Sequence, residues 1–195
     1  MVGGSSSLYH IRYVFCLFFR FAPLELIRNE YPDTQSLYHV IDYALGKAII
    51  MGGYGVDCDI TSAKEQMSFV KQAFHKTELL QLKHFIISFA GAEAALVDFD
   101  EFLQLGFLAG QLFREYQMVY GVHLGGSHIH IHFVMNTTSF LDGHQYCSGL
   151  SMFNRLCDLL RTRYPGCSVH LCTSRHFSKG KPYTKTDYHD YEYLD

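Results

Sequence analysis

Four of the chain's 12 histidines fall in one short stretch, HLGGSHIHIHFVMN, residues 123–136. Three of them, His128, His130 and His132, alternate with apolar residues. Successive side chains in a strand point to opposite faces. The three imidazoles therefore share one side, and Ile129, Ile131 and Phe133 turn to the other. With Gly125 and Gly126 as a two-residue turn, His123 comes opposite His128 and diagonal to His130, about 7 to 8 Å away at Cα. At that separation imidazoles can share an ion, and neutral imidazole is the commonest protein ligand for divalent transition metals. Three histidines without a thiolate leave coordination positions open, as catalytic sites require and structural sites avoid. The same alternation also fits a solvent-facing strand, since the row reads as a polar stripe on an open face.

Composition limits what can surround such a row. The chain has 195 residues, 48% hydrophobic and 18% charged, enough for one domain with a substantial core and too apolar for a disordered chain. No run of 18 apolar residues is long enough to cross a membrane. Tyr13 to Phe19, between Arg12 and Arg20, is apolar but lacks a small-residue cleavage pattern, so it makes a poor signal peptide. The six cysteines form no CxxC pair, which argues against structural zinc or a disulfide framework and favours reduced thiols in a cytoplasmic protein. Net charge is only -3, yet Arg155, Arg161, Arg163, Arg175, Lys179, Lys181 and Lys185 stand against Asp158 alone before the acidic end DYHDYEYLD. That basic segment could track a phosphate backbone; a solvated surface is the plainer account.

The surrounding elements alternate between helix and strand signals. Leu37, Val40, Ile41, Ala44 and Leu45 repeat as an amphipathic helix, capped by Asp33 or Thr34 and stopped at Gly46. Tyr43 lies off that apolar stripe, one turn beyond His39, and so is available for something other than core packing. MGGYGVDCD reads as loop. Ser62 to Glu65 reads as a capping box opening a second helix, with Ala63, Met67, Val70 and Phe74 inward. LKHFIISFA alternates as a strand with His84, Ile86 and Ser88 on one face. A helix over residues 98–116 comes next, then QMVYGVH and HIHIHFVMN as paired strands, a turn on Asp142 and Gly143, a helix over 150–163 and a short strand CSVHLC. Asn136 continues the face of the histidine row. This order predicts an α+β fold, an antiparallel sheet with helices packed mainly on one face.

VHLGGSHIHIHFVMNTTSFLDGHQY resembles the third motif of plasmid mobilization relaxases, tyrosine transesterases of the HUH endonuclease superfamily. SLYHVIDYALGK, GVDCDITSAKEQM and KHFIISFAGAE resemble, in the same order, the segments these proteins carry upstream of that motif, and RLCDLL resembles their downstream segment. The likeness covers about residues 29–172. It implies an RRM-like antiparallel sheet and three parts to the chain: an unassigned extension at 1–22, a relaxase domain at 23–175 and a basic-then-acidic tail at 176–195.

The resemblance also implies roles. His123, His130 and His132 would hold a divalent ion, most simply Mg or Mn. Tyr43 would be the nucleophile that cuts single-stranded DNA at a transfer origin, with accessory mobilization proteins as possible partners and no membrane. His128, His84 and Asn136 would lie behind the ligands or against DNA, and Arg155, Arg161, Arg163, Arg175, Lys179 and Lys181 would contact DNA. Tyr38 and Tyr54 are the alternative nucleophiles. Gly125 stands where the family usually carries an acidic residue. Two other readings stay open: a non-catalytic origin-binding remnant, and a histidine-ligated hydrolase or oxygenase carrying iron or zinc and independent of any tyrosine.

Overall fold

The computed structural model describes residues 24–27, 31–90, 98–125, 128–147, 149–164 and 171–174. Arg175, Lys179, Lys181, the 1–22 extension and the 176–195 tail lie outside them. The elements are β1 (Leu24–Ile27), α1 (Thr34–Gly46), β2 (Ile50–Tyr54), α2 (Ile60–Ala73), β3 (Leu82–Ala90), α3 (Phe99–Leu112), β4 (Tyr116–Leu124), β5 (His128–Ser139), α4 (Ser151–Arg163) and β6 (Leu171–Ser174).

The six strands form one sheet in the order β2-β4-β5-β3-β1-β6. Neighbours run antiparallel except β1 and β6, which run parallel. The α+β class with an antiparallel sheet is as the sequence leads one to expect. The helices, however, divide between the faces. Phe102, Leu105 and Ala109 of α3 and Phe153, Leu156 and Leu160 of α4 bury against Phe85, Ile87, Ile131 and Phe133. On the other face α1 and α2 bury Leu37, Val40, Ile41, Ala44, Ala63 and Met67 against Leu82, Val119 and Val134. A valine continues the histidines' own face of β5, and apolar helices cover it because that burial is favourable.

Local signals explain most boundaries. The Asp33 carboxylate caps α1 by accepting from the Ser36 N–H at 2.7 Å. In α2 the cap is Asp59, which accepts from the Ser62 N–H at 2.9 Å, so the helix begins before the expected Ser62 box. An aspartate three residues upstream supplies an equally good acceptor, and the helix starts at the first cap available. Its buried side chains are Ala63, Met67, Ser68 and Lys71, while Val70 and Phe74 are half-buried.

Ile50–Tyr54, expected as loop, is an edge strand paired with β4. Its glycines serve close packing, since a β-carbon on Gly52 would fall 2.2 Å from the Tyr120 ring. The β4/β5 register sets His123 opposite His130, two residues beyond the pairing a two-residue turn would give.

Candidate active site: three histidines beside Tyr43

Pairing of β4 with β5 brings His123 and His130 level, with Gly121 opposite His132. The expected alternation holds: Ile129, Ile131 and Phe133 are buried in the core on the far face. The ring centroids of His123 and His132 lie 4.5 Å apart, those of His130 and His132 5.0 Å, and those of His123 and His130 5.6 Å. One ring nitrogen from each of these histidines falls within 4.8 Å of the other two, so the group could hold a metal ion. His128 opens β5 opposite Ala90.

The row is not the open stripe its alternation suggests. His132 is 1% exposed and His123 7%, because α1 lies over them. Gly121 permits this approach: a β-carbon there would come 1.9 Å from the Ala44 carbonyl oxygen and 2.8 Å from the Ala48 β-carbon. The same carbonyl lies 2.9 Å from His123 Nε2. A carbonyl only accepts, so Nε2 carries the proton and Nδ1 the lone pair, the tautomer a ligand needs.

His84, buried on β3, supports His132 in the same way. Its Nε2 lies 3.1 Å from His132 Nδ1, and the two rings stack at 5.3 Å. His132 Nε2 is buried with no hydrogen-bond partner among the described residues. A buried polar atom without a partner is costly. That cost disappears if His132 donates from Nδ1 to His84 and turns the Nε2 lone pair to a cation. Burial, followed by the charge of His123, lowers the His84 pKa to about 3. Burial, followed by His84, His123 and His130, holds His132 well below the usual histidine range. Both rings are thus neutral, the state that ligates. The donor set fits a divalent ion held by His123, His130 and His132.

Tyr43 meets this cluster from above. Its ring centroid is 5.0 Å from that of His132, 5.6 Å from His123 and 6.4 Å from His84. It is half-buried and also packs against the core that the apolar stripe of α1 builds. The other two tyrosines are otherwise engaged. Tyr38 OH accepts from Ser68 Oγ at 3.2 Å, and Tyr54 packs against the core of the opposite face and the Phe107 ring.

Asn136 and the arginines fall elsewhere. Asn136 is fully buried and donates to the Met67 carbonyl and to Gln117 Oε1, both at 3.1 Å. It ties α2 to the sheet and touches no histidine of the cluster through those bonds. Arg155, Arg161 and Arg163 ride on α4, behind the sheet from the histidines, because the apolar stripe of α4 faces the larger core. Arg161 pairs with Asp158 at 2.7 Å, and Arg163 pairs with Glu101 at 2.7 Å. The described part of the basic segment therefore does not border the cluster.

Two features escape a reading of the sequence: the Ala44 carbonyl, a backbone group with no residue signature, and a hydrogen-bonded chain at the far end of β4. In that chain Tyr116 OH lies 2.6 Å from His144 Nε2, and His144 Nδ1 lies 2.6 Å from Asp142 Oδ1. Among the described residues Cys58 and Cys147 are free thiols, and no helix is long and apolar enough to cross a membrane.

A family model described as relaxase, MobA/VirD2-like, nuclease domain, matches residues 43–163. That span begins at Tyr43 and includes all three cluster histidines, and the chain belongs to this family of relaxases. Comparison with curated proteins and with solved structures returned no match.

Proposed function

We propose that the protein is a DNA relaxase that nicks and rejoins one strand at a transfer origin, starting the mobilization of a plasmid or integrative element. Membership of the relaxase nuclease family supports endonuclease and strand-transfer chemistry. The observation that carries the mechanism is the contact of Tyr43 with the histidine cluster, at 5.0 Å from His132 and 5.6 Å from His123 between ring centroids.

His123, His130 and His132 would hold a divalent ion, Mg or Mn, which when bound would supply positive charge to offset that of the scissile phosphate. The chain supplies the rest. Ala44 and His84 fix the ligand tautomers of His123 and His132, an orienting role that such partners commonly have. A phenol titrates near 10 and needs activation to attack at neutral pH. Tyr43 loses its proton and its oxygen bonds to phosphorus, while the bond to the 3' oxygen breaks and that oxygen takes a proton. The products are a 5'-phosphotyrosine on the protein and a free 3'-hydroxyl. One phosphate ester replaces another, so the 3'-hydroxyl can reverse the step and reseal the strand. The protein works in the cytoplasm on single-stranded DNA, with accessory mobilization proteins as further partners.

The test uses labelled single-stranded oligonucleotides tiling the DNA around the protein's own gene, incubated with manganese and resolved under denaturing conditions. A covalent protein–DNA adduct that vanishes in Tyr43→Phe is expected. No adduct with any oligonucleotide, or an adduct that persists in Tyr43→Phe, overturns the mechanism.

A further inference from the structure

A cavity of about 510 Å³ beside α2 is lined by Tyr38, Glu65, Ser68, Phe69, Gln72 and Gln117 among others. One of its polar groups is oriented by a chain of hydrogen bonds. The Thr138 backbone N–H can only donate, and it donates to Asn136 Oδ1 at 3.1 Å. That bond fixes the Asn136 amide, so Asn136 Nδ2 donates to the Met67 carbonyl and to Gln117 Oε1. Gln117 is fixed in turn: its oxygen is taken, and its NH2 group is the end left over. Gln117 is only 5% exposed, and among the described residues no group of the protein meets its Nε2. Gln117 lines the cavity with a donor that is oriented through three residues and bonded to no described group of the protein.

The walls narrow the class of ligand. Phe69 is 68% exposed, and the hydroxyls of Tyr38 and Ser68 bond to each other at 3.2 Å. Among the described residues no lysine or arginine lines the cavity, and Glu65 does, so a phosphate is disfavoured. A neutral planar group with carbonyl oxygens fits: its face stacks on Phe69 and its oxygen accepts from Gln117. The cavity shares the face of α2, hence of the histidines. Gln117 stands six residues before His123 on β4, about 20 Å away along a strand.

We propose that this cavity is a base subsite for the bound DNA strand, taking an unstacked oxo-base such as thymine several nucleotides from the reacting phosphate. The proposal rests on the relaxase reading for the identity of the strand. In it Asn136 is a positioning residue, acting through Gln117.

The test measures fluorescence anisotropy of labelled 12-mers of thymidylate and of deoxyadenylate with the full chain. Phe69→Ala should weaken binding of the thymidylate oligomer about tenfold, the loss expected of one stacked base. Gln117→Glu keeps the acceptor that Asn136 needs and removes the donor, and should abolish the preference for thymidylate over deoxyadenylate. Manganese affinity should stay unchanged in both variants, and the thermal midpoint in Phe69→Ala. Wild-type binding that neither variant alters, or no binding by the wild type, overturns the subsite. The covalent-adduct assay separates the two readings. An adduct with Phe69-independent binding removes the subsite and keeps the nuclease, while Phe69-dependent binding without an adduct does the reverse.

Discussion

A β-carbon on Gly121 would come within 1.9 Å of the carbonyl oxygen of Ala44. This contact sets how closely α1 lies over the sheet, and with it both the hydrogen bond to His123 and the seat of Tyr43 on the histidines. Gly121→Ala should lower stability by about 1–3 kcal/mol, the usual cost of overpacking a tight site. It should also reduce the covalent adduct more than it reduces manganese affinity, since the ligands stay on their hairpin while the helix shifts. Denaturant titration and the two functional assays check this.

His84 should matter to the ion although it is not expected to touch it. His84→Ala should weaken manganese binding about 10- to 100-fold, as loss of an orienting partner usually does. His84→Gln, which can still accept from His132 Nδ1, should recover part of that loss. Electron paramagnetic resonance of free manganese reads both.

Acid should destabilise the metal-free protein. The His84 pKa falls from 6.5 to about 3 on folding, so the unfolded chain takes up the proton first. This contribution is complete above about 6.5 and is lost as pH falls toward 3, at about 1.4 kcal/mol per pH unit for one such group. His132 shifts in the same direction. The slope of stability against pH over that window should be shallower in His84→Gln.

Lys71 should give a slope in the alkaline range. Burial lowers its pKa from 10.5 to about 7, and among the described residues its Nζ meets Thr137, Thr138 and the Leu80 carbonyl, at 3.3 to 3.5 Å. The unfolded chain binds the extra proton between pH 7 and 10.5, so stability should rise with pH across that range. Lys71→Met should remove the rise, as followed by urea denaturation.

Arg161 is paired with Asp158 on the helix behind the sheet. Exposed pairs of this kind contribute little to stability. Arg161→Ala should leave oligonucleotide affinity within about twofold, because Arg161 is held by Asp158 on a helix across the sheet from the histidines. A larger drop in the anisotropy assay would return the basic segment to the DNA path.

The features legible in the chain alone were those that are local or periodic. Tyr43 declared itself by lying off an apolar stripe, Asp33 by preceding that stripe, and the histidine row by its two-residue period. The hairpin register was not legible, because two glycines permit a turn of two residues without requiring it, and the observed pairing joins His123 to His130. Gly52 reads as a loop former and Gly121 as one residue of a strand, and they act as clearances for Tyr120 and Ala44. A run of charge does not say which face of the sheet its helix covers, and α4 carries Arg155, Arg161 and Arg163 on the side away from the histidines. Asn136 was rightly put on the histidine face, but α2 then covered it and engaged its amide.

The three imidazoles of the cluster come from a single hairpin, while the phenol arrives on a helix far upstream in the chain. The ligands and the phenol thus depend on different parts of the chain: under the proposed mechanism, replacing Tyr43 alone would remove the nucleophile and leave the imidazoles on their hairpin, whereas a change that moves α1 would disturb both, because α1 also carries the Ala44 carbonyl bound to His123.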